Sequence, residues 1–283
     1  MDKRIEKDLS ERLEGKEISQ SATLKPLGHF STRGMPGYFT GKRDAQTVFV
    51  HLNPGLDADI ADKKWDFETK YFDKTNIQFF VNDYIDSRRN YGKNDRMRYD
   101  PFDVKQAAFL YDWQNSGISF PRPIDWTGKG KKDIMEKKET LWLEAKEHVL
   151  MEKLQLELIP YASAKFGINK AQKGFIKVYI DILLDEIFTK ERTYVIFASD
   201  IFERLFKYYN EDTETETFEF CCKEQKQKLK NRNGKCKVIY IHYNGEIQKA
   251  LIAHTFPSQS LSQAFDLMRT YGEFCYRVWL NHP

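Results

Sequence analysis

Cysteine is scarce in this chain, with four among 283 residues. Cys221 and Cys222 are adjacent, Cys236 and Cys275 stand alone, and no pair has Cys-x-x-Cys spacing. The usual zinc and iron–sulfur ligand patterns are thereby set aside, and neither a metal nor another cofactor is expected. Sparse, irregular thiols fit a reducing cytoplasm, the location expected here. Long apolar runs are also missing: none is long enough to span a bilayer, and the first eight residues (Met-Asp-Lys-Arg-Ile-Glu-Lys-Asp) lack the apolar core of a signal peptide. No membrane partner is expected. There is no internal repeat and no low-complexity segment, which argues against a solenoid or propeller. Neither charge sign dominates. Lys and Arg number 45 against 42 Asp and Glu, for a net charge of +3, so an anionic partner is permitted and not required.

What is present suits a globular α/β protein. The length fits one large α/β domain or two small ones, and 41% hydrophobic residues suffice for a core. Phe and Tyr, at 21 and 15, promise aromatic packing or stacking surfaces. Ile5, Leu9 and Leu13 give residues 3–14 the narrow apolar stripe of a surface helix. Residues 20–45, rich in glycine, read as an irregular approach to the first core strand.

That strand is the apolar, β-branched stretch from Gln46 to Val50, leading to His51 and breaking at Asn53-Pro54-Gly55. Pro54 fixes φ and biases Asn53 away from helix, and Gly55 permits a close backbone approach. Two readings of the break stand: a turn that ends a strand, or a binding turn at the carboxyl end of a parallel strand. Helical patterns follow at Lys70–Ile85, Asp103–Trp113 and Lys137–Met151. A loop between the first two interleaves Arg88, Arg89, Lys93, Arg96 and Arg98 with Tyr91 and Tyr99. It reads either as a solvated loop or as a surface on which cations meet phosphates and aromatics stack on bases. The Lys-rich stretches at 128–132 and 223–235 carry the same pair of readings.

Further strands are expected at Leu154–Ile159, Tyr194–Ala198 and Lys237–His242, with a last apolar run at Ala250–Ala253. Helices are expected at about 170–190, at Ile201–Tyr209 capped by Ser199 or Asp200, near Glu219–Asn231, and at Gln259–Trp279. Asn233-Gly234 reads as a turn. Alternation of this kind predicts an α/β fold with a parallel sheet and helices on both faces. In such a sheet the turns after Val50, after Ile159 and after Ala253 could converge on one edge.

At these turns the sequence resembles the uracil-DNA glycosylase superfamily. His51-Leu52-Asn53-Pro54-Gly55 is similar to the Gly-x-Asn-Pro-Gly first motif of the mismatch-specific and single-strand-selective branches. Phe256-Pro257-Ser258-Gln259-Ser260-Leu261-Ser262 is similar to the second motif, whose leading His is replaced in mismatch-type branches. The stretch from Tyr194 to Phe206 resembles the penultimate strand and helix. The resemblance covers roughly half of the chain. It implies a single domain over residues 1–283, a three-layer α/β/α sandwich with a central, mostly parallel four-stranded sheet, carrying an insertion-rich helical region at about 56–150.

The resemblance also implies a chemistry: metal-independent hydrolysis of the N-glycosidic bond of a damaged or mismatched pyrimidine flipped out of DNA. Asn53 would hold the attacking water, and backbone N–H groups around Pro54 and Gly55 would face the base. Trp65 falls where related branches place the stacking aromatic, or else belongs to the core. Glu157 stands nearest to the base-reading Asn of several branches; its other reading is a surface-facing strand residue. Tyr161 would help to line the base pocket. Ser258, Ser260 and Ser262 suit phosphate contacts, with Leu261 or Gln259 as the wedge, and Ser258 or Ser260 equally suits a helix cap. His254 reads as a donor to the leaving base or as a satisfied core histidine. His51 replaces the family's Gly and Glu157 its Asn. Those departures keep a second function open, a catalytically inactive module on the same fold that binds nucleic acid or a nucleotide.

Overall fold

The computed structural model describes residues 7, 10–11, 14, 16, 30–31, 39–52, 101–113, 152–164, 173–212, 218–220, 225–229, 232–254, 256 and 265–282. Among them are eight strands: β1 (Phe39–Gly41), β2 (Thr47–His51), β3 (Lys153–Glu157), β4 (Tyr194–Phe197), β5 (Phe218–Phe220), β6 (Gln225–Leu229), β7 (Arg232–Tyr243) and β8 (Glu246–Ala253). The helices among them are α1 (Pro101–Leu110), α2 (Lys173–Phe188), α3 (Ile201–Asp212) and α4 (Phe265–Leu280). None of these helices is long and apolar enough to cross a membrane.

The strands form one mixed sheet in the order β1-β3-β2-β4-β8-β7-β5, with β6 paired to β7. The central run β3-β2-β4-β8 is parallel throughout, while β1 and the β5, β6 and β7 pairings are antiparallel. The α/β class read from the sequence is thus present, but the sheet has twice the four strands expected. The carboxyl ends of the four parallel strands share one edge. Chain order along this run reverses about β2, since β3 lies on one side of it and β4 on the other, which is the switch point where such sheets leave a crevice.

Period-two alternation sends the two faces of each strand to different helices. Val48, Val50, Leu154, Leu156, Val195 and Phe197 pack with α2 and α3 through Ile180, Leu183, Phe202 and Phe206. Phe49, Ile196, Leu251 and Ala253 pack with α1 and α4 through Phe109, Met268, Tyr271 and Cys275. Because β2 and β4 are buried on both sides, they read as unbroken apolar runs. The start of β2 is tied to the α2–β4 connection. Arg43 makes a two-pronged pair with Glu186, and the Arg192 guanidinium donates to the carbonyls of Ala45 and Arg43.

Ser199 caps α3 as expected: the Ile201 N–H donates to Ser199 Oγ at 3.2 Å. Ser199→Ala should lower stability by about 1 kcal/mol, measured by urea unfolding, through loss of that cap.

Two expectations fail at the far side of the sheet. The charged stretch 219–231, read as a helix, contributes β5 and β6, both paired to β7. Lys and Gln tolerate helix well, but propensity is a weak prior, and pairing with the long β7 strand outweighs it. Asn233-Gly234, read as a turn, lies inside β7. The turn is instead Asn244-Gly245, both with positive φ (51° and 82°), between the paired residues Tyr243 and Glu246. A two-residue Asn-Gly connection of this kind matches the right-handed twist of a hairpin.

Candidate functional site

The carboxyl ends of β2 and β3 carry polar side chains where a core is expected. Lys153, Gln155 and Glu157 occupy alternate positions of β3, on the face opposite Leu154 and Leu156. His51 is in register with Glu157 across the parallel pair. Gln106 reaches them from α1. Lys153 (2% exposed), His51 (6%), Glu157 (8%) and Gln106 (0%) are all buried.

These groups form a hydrogen-bonded relay whose direction is set by its ionic ends. Lys153 Nζ can only donate, and it donates to Gln155 Oε1 at 2.9 Å. The Gln155 amide is thereby oriented with Nε2 toward Glu157 Oε1, also at 2.9 Å. Gln106 Nε2 must then be the atom facing Gln155 Oε1, at 3.0 Å. The same Nε2 lies 3.2 Å from His51 Nε2. His51 Nε2 is therefore an acceptor, and the ring proton sits on Nδ1. Burial, reinforced by the nearby Lys153 ammonium, holds the His51 pKa well below its ordinary value, so the ring is neutral near pH 7. The relay leaves Gln106 Oε1 without a hydrogen-bond partner among the described residues.

Aromatic rings close over this shelf. Phe256 stands edge-on to Phe49 with centroids 4.9 Å apart and lies 5.9 Å from the His51 ring. Phe109 of α1 meets Phe256 at 5.2 Å. His51, two residues before Asn53 in the sequence, and Phe256, the first residue of the second motif, are therefore neighbours. β2, which carries His51, and β8, which ends three residues before Phe256, both flank β4.

The sequence-predicted residues divide into three groups. His51 and Glu157 are brought together. The surface reading of Glu157 is overturned, because inward alternation along β3 and the bond from Gln155 bury it. Tyr161 and His254 are not brought to them. Tyr161, expected in the base pocket, is buried in the cluster on the α2–α3 face, beyond the point where the N–H groups of Leu158 and Ile159 donate to the carbonyls of His51 and Leu52. His254 follows Ala253, so alternation turns it toward α3. Its Nε2 lies 3.3 Å from Glu203 Oε2, a contact that is ionic when the imidazole is protonated. Lys237 Nζ holds the other oxygen of Glu203 at 2.8 Å. Burial pushes the Glu203 carboxyl up, but hydrogen bonds from Lys237 and Lys207 prevail and hold it below its ordinary value. Asn53, Pro54, Gly55, Trp65, Arg88, Arg89, Lys93, Arg96, Arg98, Ser258, Gln259, Ser260, Leu261 and Ser262 lie outside the described residues.

Lys153, Gln155 and Gln106 escaped the sequence reading. The first two carried a signal, a polar residue at every second position of an apolar strand. Gln106, set among Ala107, Ala108 and Phe109, carried none. Comparison with protein-family models, with curated proteins and with solved structures gave no match.

Proposed function

We propose that this chain is a glycosylase-type enzyme that hydrolyses the N-glycosidic bond of a damaged or mismatched pyrimidine flipped out of DNA. One observation carries this reading. His51 and Phe256, far apart in sequence, meet at the carboxyl edge of a parallel sheet, beside its switch point. On this reading Asn53 follows directly from the site and holds the attacking water, and the buried shelf beneath contacts the extruded base. Uracil-, thymine-mismatch- and hydroxymethyluracil-containing oligonucleotides, incubated with the protein and then treated with alkali, should be cleaved at the modified position. Asn53→Ala should slow cleavage by about a hundredfold or more, the loss typical of a removed positioning group. Absence of cleavage on all three substrates defeats the proposal.

A second reading has its own support. The His51 ring is buried, neutral and held between Gln106 and Phe256, a packing that suits a module binding nucleic acid or a nucleotide without hydrolysis. Binding that weakens steeply with salt and yields no product would favour it.

A further inference from the structure

We infer that the hairpin made by β6 and the first residues of β7 is a nucleic-acid arm, whose lysines bind the phosphate backbone beside the carboxyl edge of the sheet. The inference rests on the reading of that edge as a nucleic-acid site, and adds the surface that holds the strand there.

Charge is segregated in this hairpin. Residues 225–235 contain Lys226, Lys228, Lys230, Arg232 and Lys235 and no acid. Without those five cations the chain has 40 Lys and Arg against 42 Asp and Glu, a net charge of −2. The positive excess of the whole protein therefore sits in one short segment. Charge of one sign concentrated on an otherwise balanced molecule attracts a polyanion to that place.

Topology sets the hairpin at the edge that carries His51. β8 runs parallel to β4 and β2, so its last residue, Ala253, stands at the carboxyl edge. Register runs across the sheet from Val50 through Phe197 and Ile252 to Lys237, so Ala253 and Cys236, one position further, lie level with His51. The β7–β8 ladder ends at that pair. β7 extends beyond it to Arg232, paired there with β6. Four residues at about 3.3 Å each carry the ribbon roughly 13 Å past that level. Its root is fixed by two bonds: the His254 N–H and the Tyr271 hydroxyl both donate to the Lys235 carbonyl. His254 is two residues from Phe256.

Alternation then sorts the cations. Cys236 belongs to the cluster on the α4 face, and Gly234, also buried, shares its side of β7. Lys235 and Lys237 take the other side, where Lys237 meets Glu203. Lys226 is directly across from Lys235, and Lys228 from Asn233. Register thus places Lys226, Lys228 and Lys235 on one face of the projecting ribbon. Like charges directly across a ladder destabilise it, and a phosphate set between them turns the repulsion into attraction. Lysine on an edge strand also discourages pairing with another copy. That accounts for Lys226 and Lys228, but not for a third lysine opposite Lys226 on the partner strand. A bilayer-binding element needs an apolar face, and Leu229 is the one large apolar residue of the segment.

The test is binding of the full chain to a labelled single-stranded oligonucleotide with no modified base, followed by fluorescence anisotropy over a salt series. The variant Lys226→Gln, Lys228→Gln, Lys235→Gln should bind about tenfold or more weakly at low salt. Its plot of log affinity against log salt should be shallower by about 2, since each lost phosphate contact on a single strand removes about 0.7. Lys42→Gln, Lys190→Gln, Arg277→Gln removes the same charge elsewhere and should leave the slope nearly unchanged. Urea unfolding verifies that both variants fold. Lysine acetylation of the wild type, with and without the oligonucleotide, needs no variant: Lys226, Lys228 and Lys235 should be protected more than Lys42 and Lys190.

An unchanged slope, with or without self-association of the variant, overturns the inference, and so does acetylation that the oligonucleotide does not slow. Equal displacement of the oligonucleotide by polyglutamate, or equally strong lysine-dependent binding to phosphatidylserine vesicles, assigns the arm to another partner and overturns it too. Lysine-dependent binding without cleavage would remove the hydrolytic function and leave the arm standing. Cleavage that ignores these lysines would do the reverse.

Discussion

Gly272→Ala is expected to destabilise the protein by about 3 kcal/mol or more, at the upper end of what overpacking costs. In an ordinary helix the same change stabilises by about 1 kcal/mol, because glycine loses more backbone entropy than alanine. The sign alone is therefore diagnostic. Gly272 lies in α4 where it crosses α1. A Cβ built there would stand 2.0 Å from the Phe109 carbonyl oxygen and 2.8 Å from its Cα. These are backbone atoms, and no rotamer change relieves the clash. The helices must move apart, and the bond from Trp113 Nε1 to the Gly272 carbonyl, 3.1 Å long, goes with the separation. So does the ring packing of Phe109 with Tyr271 and Phe256. Because α1 also carries Gln106, the variant should disturb the shelf as well as the fold. Urea unfolding measures the loss, and a neutral or stabilised variant would show that the two helices do not cross so closely.

Gln155→Leu should cost about 1–3 kcal/mol, the range for leaving buried polar partners short of a hydrogen bond. The Gln155 amide is the centre of the relay. Its oxygen receives both Lys153 and Gln106, and its nitrogen serves Glu157. Leucine fills the volume but takes a hydrogen bond each from an ammonium, a carboxylate and an amide that are themselves buried, beside a half-buried strand position. The triple variant Lys153→Met, Gln155→Leu, Glu157→Leu removes the charges together. It should recover most of the loss, since a buried ionic group exchanged for apolar residues of similar volume is often neutral or stabilising. Unfolding curves of the two variants side by side check this. A single variant that loses less than about 1 kcal/mol would mean that the relay is solvated rather than buried.

Such a relay also explains why the site was only half legible in the sequence. His51 and Glu157 were marked by the turn and strand on which they sit. Their shared register, and the fact that Glu157 points inward, depended on β3 pairing beside β2. Gln106 comes from a helix on the far side of a long excursion, and nothing local distinguishes it from a solvent-facing glutamine. From the sequence, His254 read as a donor to the leaving base or as a satisfied core histidine. One step of strand alternation beyond Ala253 sent it to Glu203 on the opposite face.

The elements themselves were read more securely where both faces of a strand, or one face of a long helix, are apolar. The strand expected through Val50 is β2, that at Tyr194–Ala198 is β4, and the helix expected over 170–190 is α2. Burial leaves a periodic trace in those stretches. Over 219–231 most residues are polar and the few apolar ones carry no such trace, so helix propensity was the only guide, and pairing to β7 decided otherwise.

Sequence by itself determined the α/β class and the order of the parallel strands along the chain, because apolar periodicity is a local property of the polymer. Only the tertiary structure decided that the sheet is extended by an antiparallel wing and that His51, Glu157 and Phe256 share one edge. It also decided that a lysine two strand positions from a glutamine sets the hydrogen-bond direction of the whole shelf. Those outcomes depend on which strands become neighbours, and strand pairing is a contest among distant segments that no local pattern records.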